Sequence, residues 1–155
     1  PNIDSSIHLI IAGHLGKDNF SMYQSIIDEL DLSSRLVLDI NYISEEKREF
    51  YFKAADCLAL PYEHIFQSGV LLMSMSYGLP VVASQIPSFE EVIEVGKNGL
   101  LFEKGNSDDL ANKLNALMNN KDLMNEIPQN AISYMKENYC WDSIAKGYVK
   151  LIKTL

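Results

Sequence analysis

The sequence predicts an α/β fold, a doubly wound Rossmann-like parallel sheet. Two observations lead there. Short continuous apolar runs recur along the chain, each ended by Gly, Pro or a polar residue, as strands buried on both faces read. Between them lie amphipathic stretches of about a dozen residues, many opened by a capping Ser, so strand and helix alternate as βαβ units require.

Ile7-His8-Leu9-Ile10-Ile11-Ala12-Gly13 reads as the first strand, stopped by its glycine. A helix over roughly 19–30 follows, with Met22, Ile26, Ile27 and Leu30 on one stripe. Leu36–Ile40 is the second strand, and Ser44-Glu45-Glu46 opens a helix with an N-cap and an acidic first turn. Phe50, Tyr51 and Ala54 supply that helix's apolar side. Cys57–Leu60 is the third strand, ended by Pro61. The next helix starts at Ser68 and stops near Gly78, a C′ glycine. Pro80–Ala83 is the fourth strand, and Ser88 with Glu91 reads as a capping box for a short helix. Asn98-Gly99 turns into Leu100-Leu101-Phe102. Helices near 107–119, 121–138 and 141–154 finish the chain, the first with Ser107 as its cap.

With 155 residues, the chain suits one domain, 1–155, and no internal repeat or linker divides it. A net charge of -8, from 13 basic and 21 acidic residues, argues against a nucleic-acid partner. The longest apolar runs fall short of the roughly 18 residues that cross a bilayer. The opening Pro1-Asn2-Ile3-Asp4-Ser5 carries neither signal peptide nor initiator Met, which implies a start partway into a longer protein. Cys57 and Cys140 lack metal-type spacing and form no disulfide framework, so a reducing, cytoplasmic setting is expected. No metal and no cofactor are expected.

Sheets of this class bind ligands beyond the carboxyl ends of their strands, which confines the candidate site to loops 13–18, 41–44, 61–69 and 84–89. The helix starts separate the candidates further. Glutamates follow Ser44 and Ser88 and aspartates follow Ser107, complementing the positive end of each helix. The start at Ser68 continues Gly69-Val70-Leu71-Leu72-Met73-Ser74, without a carboxylate. A capped, uncharged start with Gly in its first turn fits an anion such as phosphate. A buried helix that tolerates no charge would read the same way. Neither a dinucleotide fingerprint nor a phosphate loop is present.

At these residues the sequence resembles the C-terminal, nucleotide-sugar-binding domain of the retaining glycosyltransferases of group 1, which have the GT-B architecture. Ala54-Ala55-Asp56-Cys57-Leu58-Ala59-Leu60-Pro61 resembles the family's "aaDvfvlPS". The stretch from Gln67-Ser68-Gly69-Val70-Leu71-Leu72 to Gly78-Leu79-Pro80-Val81-Val82-Ala83-Ser84 resembles "GxxLLEAMAxGlPVVAS". Leu9–Gly13, Asn98–Phe102 and Tyr139–Ala145 resemble "lliaG", "nGllf" and "fsWdxia", so the likeness runs through nearly the whole chain. It implies a nucleotide-sugar donor whose diphosphate meets Ser68, Gly69 and Val70. It also implies base contacts from the backbone of Tyr42 and Ile43, and Gly13 and His14 over the donor. Gln67, just before the helix start, could hydrogen-bond the donor sugar or phosphate. The family's two glutamates fall at Ile65 and Met73, so their roles do not carry over. The family's opening strand, with its diphosphate-neutralising cations, and its acceptor-binding N-terminal domain would precede Pro1. Transfer by this chain alone is therefore not expected, and membrane association is left open only as a peripheral contact of the parent protein.

His14, Glu63 and His64 are the titratable loop residues near the proposed crevice that invite a catalytic reading, each with an ordinary loop role as the alternative. No catalytic residue is assigned. The tyrosines other than Tyr42, Tyr51 among them, read as packing. Two rivals stand beside the transferase: a sugar-nucleotide epimerase of the same architecture and a non-enzymatic α/β interaction module.

Overall fold

A computed structural model describes residues 3–16 and 19–154. These divide into two compact units, 3–51 and 52–154. The boundary falls within one helix. Lys17 and Asp18 of the expected 13–18 site loop lie outside the described residues.

In the first unit, β1 (Leu9–Ala12) and β2 (Leu36–Asp39) pair in parallel, Leu9 opposite Leu36 through Ala12 opposite Asp39. Helix α1 (Ser21–Glu29) connects them, and α2 (Glu45–Ala54) follows β2. Both helices and both strands fall where the periodicity puts them, with slightly shorter bounds. Burial does not follow the expectation. Of the α1 stripe only Ile27 is buried, and Leu9, Ile10, Ile11, Val37 and Leu38 remain exposed. In a two-stranded sheet both strands are edges, so neither is enclosed between neighbouring strands as an inner parallel strand is.

The second unit holds a three-stranded parallel sheet ordered β3-β4-β5, from Leu58–Leu60, Val81–Ser84 and Leu100–Phe102. Its register sets Leu58 opposite Val81 and Val82 opposite Leu100. The parallel sheet is thus present, in two parts of two and three strands. Every residue of β4 is buried, the continuous burial expected of an inner parallel strand. Helices α3 (Gly69–Tyr77), α4 (Pro87–Glu90), α5 (Ser107–Met118), α6 (Lys121–Asn138) and α7 (Trp141–Ile152) complete the unit. Leu60, Leu71, Met75, Val81, Phe89 and Ala131 lie in one core cluster that joins the sheet, α3, α4 and α6.

Helix ends show where local chemistry was read correctly and where it was not. Gly78 closes α3 at φ +69°, a left-handed C-cap that favours glycine. The cap of α5 is Asn106, whose Oδ1 accepts the N–H groups of Asp108 and Asp109, with Ser107 already helical. The Ser88–Glu91 box does not form. Pro87 takes the first turn of α4, the N-cap is Ile86, and Ser88 Oγ is buried without a hydrogen-bond partner. Proline's fixed φ suits the first turn, where its missing N–H costs nothing. The turn before β5 is held by Asn98, buried, whose Oδ1 accepts Glu94 N–H at 2.8 Å while Nδ2 donates to Val92 O at 3.1 Å. Gly99 fits closely beside it: a Cβ would stand 3.2 Å from Ile93 Cγ2 and 3.3 Å from the Val81 carbonyl, so a neighbour would have to shift by a few tenths of an ångström.

Candidate functional site

The start of α3 stands at the carboxyl end of β3, after loop 61–68. Ser68 is extended, and its Oγ accepts the N–H of Leu71 at 3.2 Å, an N-cap. That bond uses one of the helix's orphan donors and leaves Gly69 and Val70 N–H with no acceptor inside the helix. Gly69 is exposed, and a Cβ there would meet nothing within 4 Å. Val70 is 40% exposed, while Leu71, Ser74 and Met75 on the opposite face are buried. Burial therefore does not explain the missing carboxylate, because the first turn faces open space. The contrast with other helix starts is partial, since α1 also has no acid in its first turn.

Around this start, Gln67 is exposed, and Ile65 packs against the core. Met73 is half-buried. Two positions that could carry carboxylates thus hold apolar side chains, one of them in the core packing. Glu63 and His64 are exposed. Phe66 is 99% exposed beside the helix start, a feature that sequence reading did not single out.

The other candidates belong to the first unit. Gly13 follows β1 at φ +150°, and its N–H donates to Asp39 O at 3.0 Å, tying the ends of the two strands. His14 is exposed, and its Nδ1 accepts Gly16 N–H at 2.9 Å, which leaves the ring proton on Nε2. Tyr42 is 81% exposed at the tip of the loop after β2, and Ile43 is half-buried. Gly13, His14, Tyr42 and Ile43 thus gather at the carboxyl end of the β1–β2 pair. Gln67 to Val70 gather at the end of β3, in the other unit.

Asp39 was missed. It is buried at the end of β2, and its Oδ2 accepts both Lys47 Nζ and Tyr51 Oη, each at 2.7 Å. Asn41 Nδ2 donates to Oδ1 at 3.3 Å. The Lys47 hydrogen bond above all, then Tyr51 and Asn41, pull the Asp39 carboxyl down from 3.8 to about 2. The same bond raises the Lys47 ammonium, and the hydrogen bond to Asp39 raises the Tyr51 phenol. Tyr51 is therefore a polar partner as well as a packing residue, its ring edge-on to Phe50. The available signal was an Asp closing an apolar strand, followed by Lys and Tyr four apart on the next helix.

Among the described residues no group of three or more His, Cys, Asp or Glu side chains is placed to hold a metal, and no helix is long and apolar enough to cross a membrane.

The family model for glycosyl transferases group 1 matches residues 1–134. The chain belongs to this family. Membership in the glycosyl transferases group 1 family favours the transferase over the epimerase and the interaction module. The chain is 27% identical over 159 aligned positions to D-inositol 3-phosphate glycosyltransferase of Corynebacterium urealyticum, covering 98% of this chain and 36% of that protein. Among solved structures it is similar to Anabaena HepE in complex with UDP, with a TM-score of 0.86 at 22% identity over 99% of this chain and 42% of HepE. The C-terminal domain of a group 1 family protein from Francisella tularensis aligns with a TM-score of 0.71 at 19% identity, covering 78% of this chain and 62% of that one. The fold is that of the C-terminal half of a GT-B glycosyltransferase.

Proposed function

We propose that this chain is the donor-binding part, a single domain in function, of a glycosyltransferase that moves a sugar from a nucleoside diphosphate to a saccharide or other acceptor. The observation that carries the proposal is the start of α3, capped by Ser68, uncharged, exposed at Gly69 and Val70, and set at a strand's carboxyl end. In such a transfer the bond from the anomeric carbon to the diphosphate breaks, and negative charge grows on the leaving oxygen. Backbone N–H groups fixed at a helix start stabilise that charge without reorganising. Gly69 and Val70 N–H supply them, and Gln67 is in reach of the sugar or phosphate from the preceding position. Tyr42 and Ile43 take the base through their backbone, with Gly13 and His14 over the donor. No catalytic acid or base is assigned, since the positions of the family's glutamate pair are Ile65 and Met73.

UDP and UDP-glucose are bound in the HepE structures, which supports a UDP-sugar as the first donor to try here. The chain spans 36% of its Corynebacterium relative, so the acceptor site and part of the donor's charge neutralisation are assigned to the rest of the parent protein. Retention of configuration follows the family resemblance, and a cytoplasmic location, with at most peripheral membrane contact of the parent, fits the nucleotide-sugar supply.

The test is to incubate the full-length protein with a panel of nucleotide sugars and saccharide acceptors and to follow diphosphate release. Acceptor-dependent release by the full-length protein, and none by residues 1–155 alone, is the expected result. Interconversion of two nucleotide sugars without release would overturn the proposal in favour of an epimerase.

A further inference from the structure

We propose that Asp39 is the positioning residue of the base loop, its one carboxylate holding residues 40–44 in the conformation that receives a nucleobase. The inference rests on the assignment of Tyr42 and Ile43 to base contact.

The geometry brackets the loop at both ends. Asp39 is the last residue of β2, and Lys47 and Tyr51 stand one turn apart on α2, so both reach Oδ2 at 2.7 Å. Asn41, inside the loop, is clipped to Oδ1 at 3.3 Å. Ser44 Oγ accepts Lys47 N–H at 3.3 Å, which fixes where loop becomes helix. The Asp39 carbonyl takes Gly13 N–H, so the loop after β1 is set in register with the same residue. Tyr42 at the tip is exposed and contributes little packing of its own. The loop's shape is therefore set from its base by the carboxylate.

An apolar residue at 39 would simply extend the run Leu36-Val37-Leu38, with no charge to desolvate. Burying a carboxylate is costly unless its lone pairs find donors, so stability alone is a weak reason for the cluster. A loop already held in its binding conformation loses less freedom when the ligand arrives.

The test uses the full-length protein and three probes: UDP, uridine and inorganic pyrophosphate. Asp39→Asn, Lys47→Met and Tyr51→Phe are each expected to weaken UDP and uridine by about tenfold while leaving pyrophosphate unchanged, and Lys47→Arg is expected to restore them. In turnover, KM for the donor rises by the same factor with kcat unchanged. Should Asp39→Asn fail to fold, Lys47→Met and Tyr51→Phe keep the carboxylate in place and read the same ratio. Equal weakening of all three probes would mean a folding role only and would overturn the proposal, as would unchanged binding in folded variants. Ile43→Pro, which removes a loop N–H, distinguishes this failure from that of the base-loop assignment. If it weakens uridine while the Asp39 cluster variants do not, the loop binds base and the positioning role falls. If it leaves uridine binding unchanged, the base-loop assignment fails and the positioning role falls with it.

Discussion

Replacing Gly78 by Ala separates backbone strain from packing at the end of the helix whose other end is the proposed phosphate site. Gly78 sits at φ +69°, and the left-handed conformation costs a residue with a Cβ about 1–2 kcal/mol. The new methyl would also lie 2.8 Å from Ile132 Cδ1 and 3.3 Å from Cγ1. Ile132 is half-buried and the contact is with the end of its side chain, so a rotamer adjustment of about 0.5–1.5 kcal/mol relieves it. Together these cost about 1.5–3.5 kcal/mol, or a fall in Tm on the order of 3–14 °C for a chain of this size. Thermal unfolding by circular dichroism, on Gly78→Ala alone and combined with Ile132→Val, measures both parts. The second change removes Cδ1 and should recover only the packing part. A Tm for Gly78→Ala within a degree of the unchanged protein would refute the strain argument. Full recovery by Ile132→Val would show that the cost is steric and that φ contributes nothing.

Asn98→Ala leaves Glu94 N–H and Val92 O without their partner and is expected to lower stability by about 1–3 kcal/mol, read as a shift in denaturant midpoint. Asp39 has a depressed pKa, so its ionised form adds stability that is fully present above about pH 4 and is lost as pH falls through about 2. Denaturant midpoints taken between pH 5 and pH 2 should fall more steeply in the unchanged protein than in Asp39→Asn, and parallel curves would contradict this. Trp141 opens α7 and is 84% exposed, so its emission in the isolated chain should be that of a solvated indole and should change little on adding UDP. A large saturable quench would place the indole at the ligand.

The order and type of the elements could be read from the sequence because apolar runs and helical stripes report burial directly. Both ends of α3 were legible as well, Ser68 by its side-chain chemistry and Gly78 by its conformational freedom. Caps competing within one or two residues were harder. Asn106 and Ser107 both cap well, and the tertiary path chose Asn106, while at α4 Pro87 displaced the Ser88 box. Burial in β1 and β2 was misjudged because an apolar run states what a strand can bury, and only the surrounding structure states what covers it. The Asp39 cluster left only an indirect signal, an Asp closing an apolar strand with Lys and Tyr four apart on the next helix, because its partners lie 8 and 12 residues away across a strand-to-helix turn whose angle no local pattern specifies.

The central claim, that the start of α3 holds the donor diphosphate, is tested most directly by Gly69→Asp, measuring Tm and UDP affinity on the same full-length variant. The site at Gly69 is open, a Cβ there meeting nothing within 4 Å, and an acid in a first turn stabilises a helix by about 0.3–1 kcal/mol. The carboxylate would stand where the diphosphate charge belongs, and losing charge-assisted hydrogen bonds from two N–H groups, about 1.5–3 kcal/mol each, weakens binding on the order of a hundredfold or more. An unchanged or slightly raised Tm with UDP binding lost is expected. A well-folded Gly69→Asp protein that binds UDP normally would contradict it.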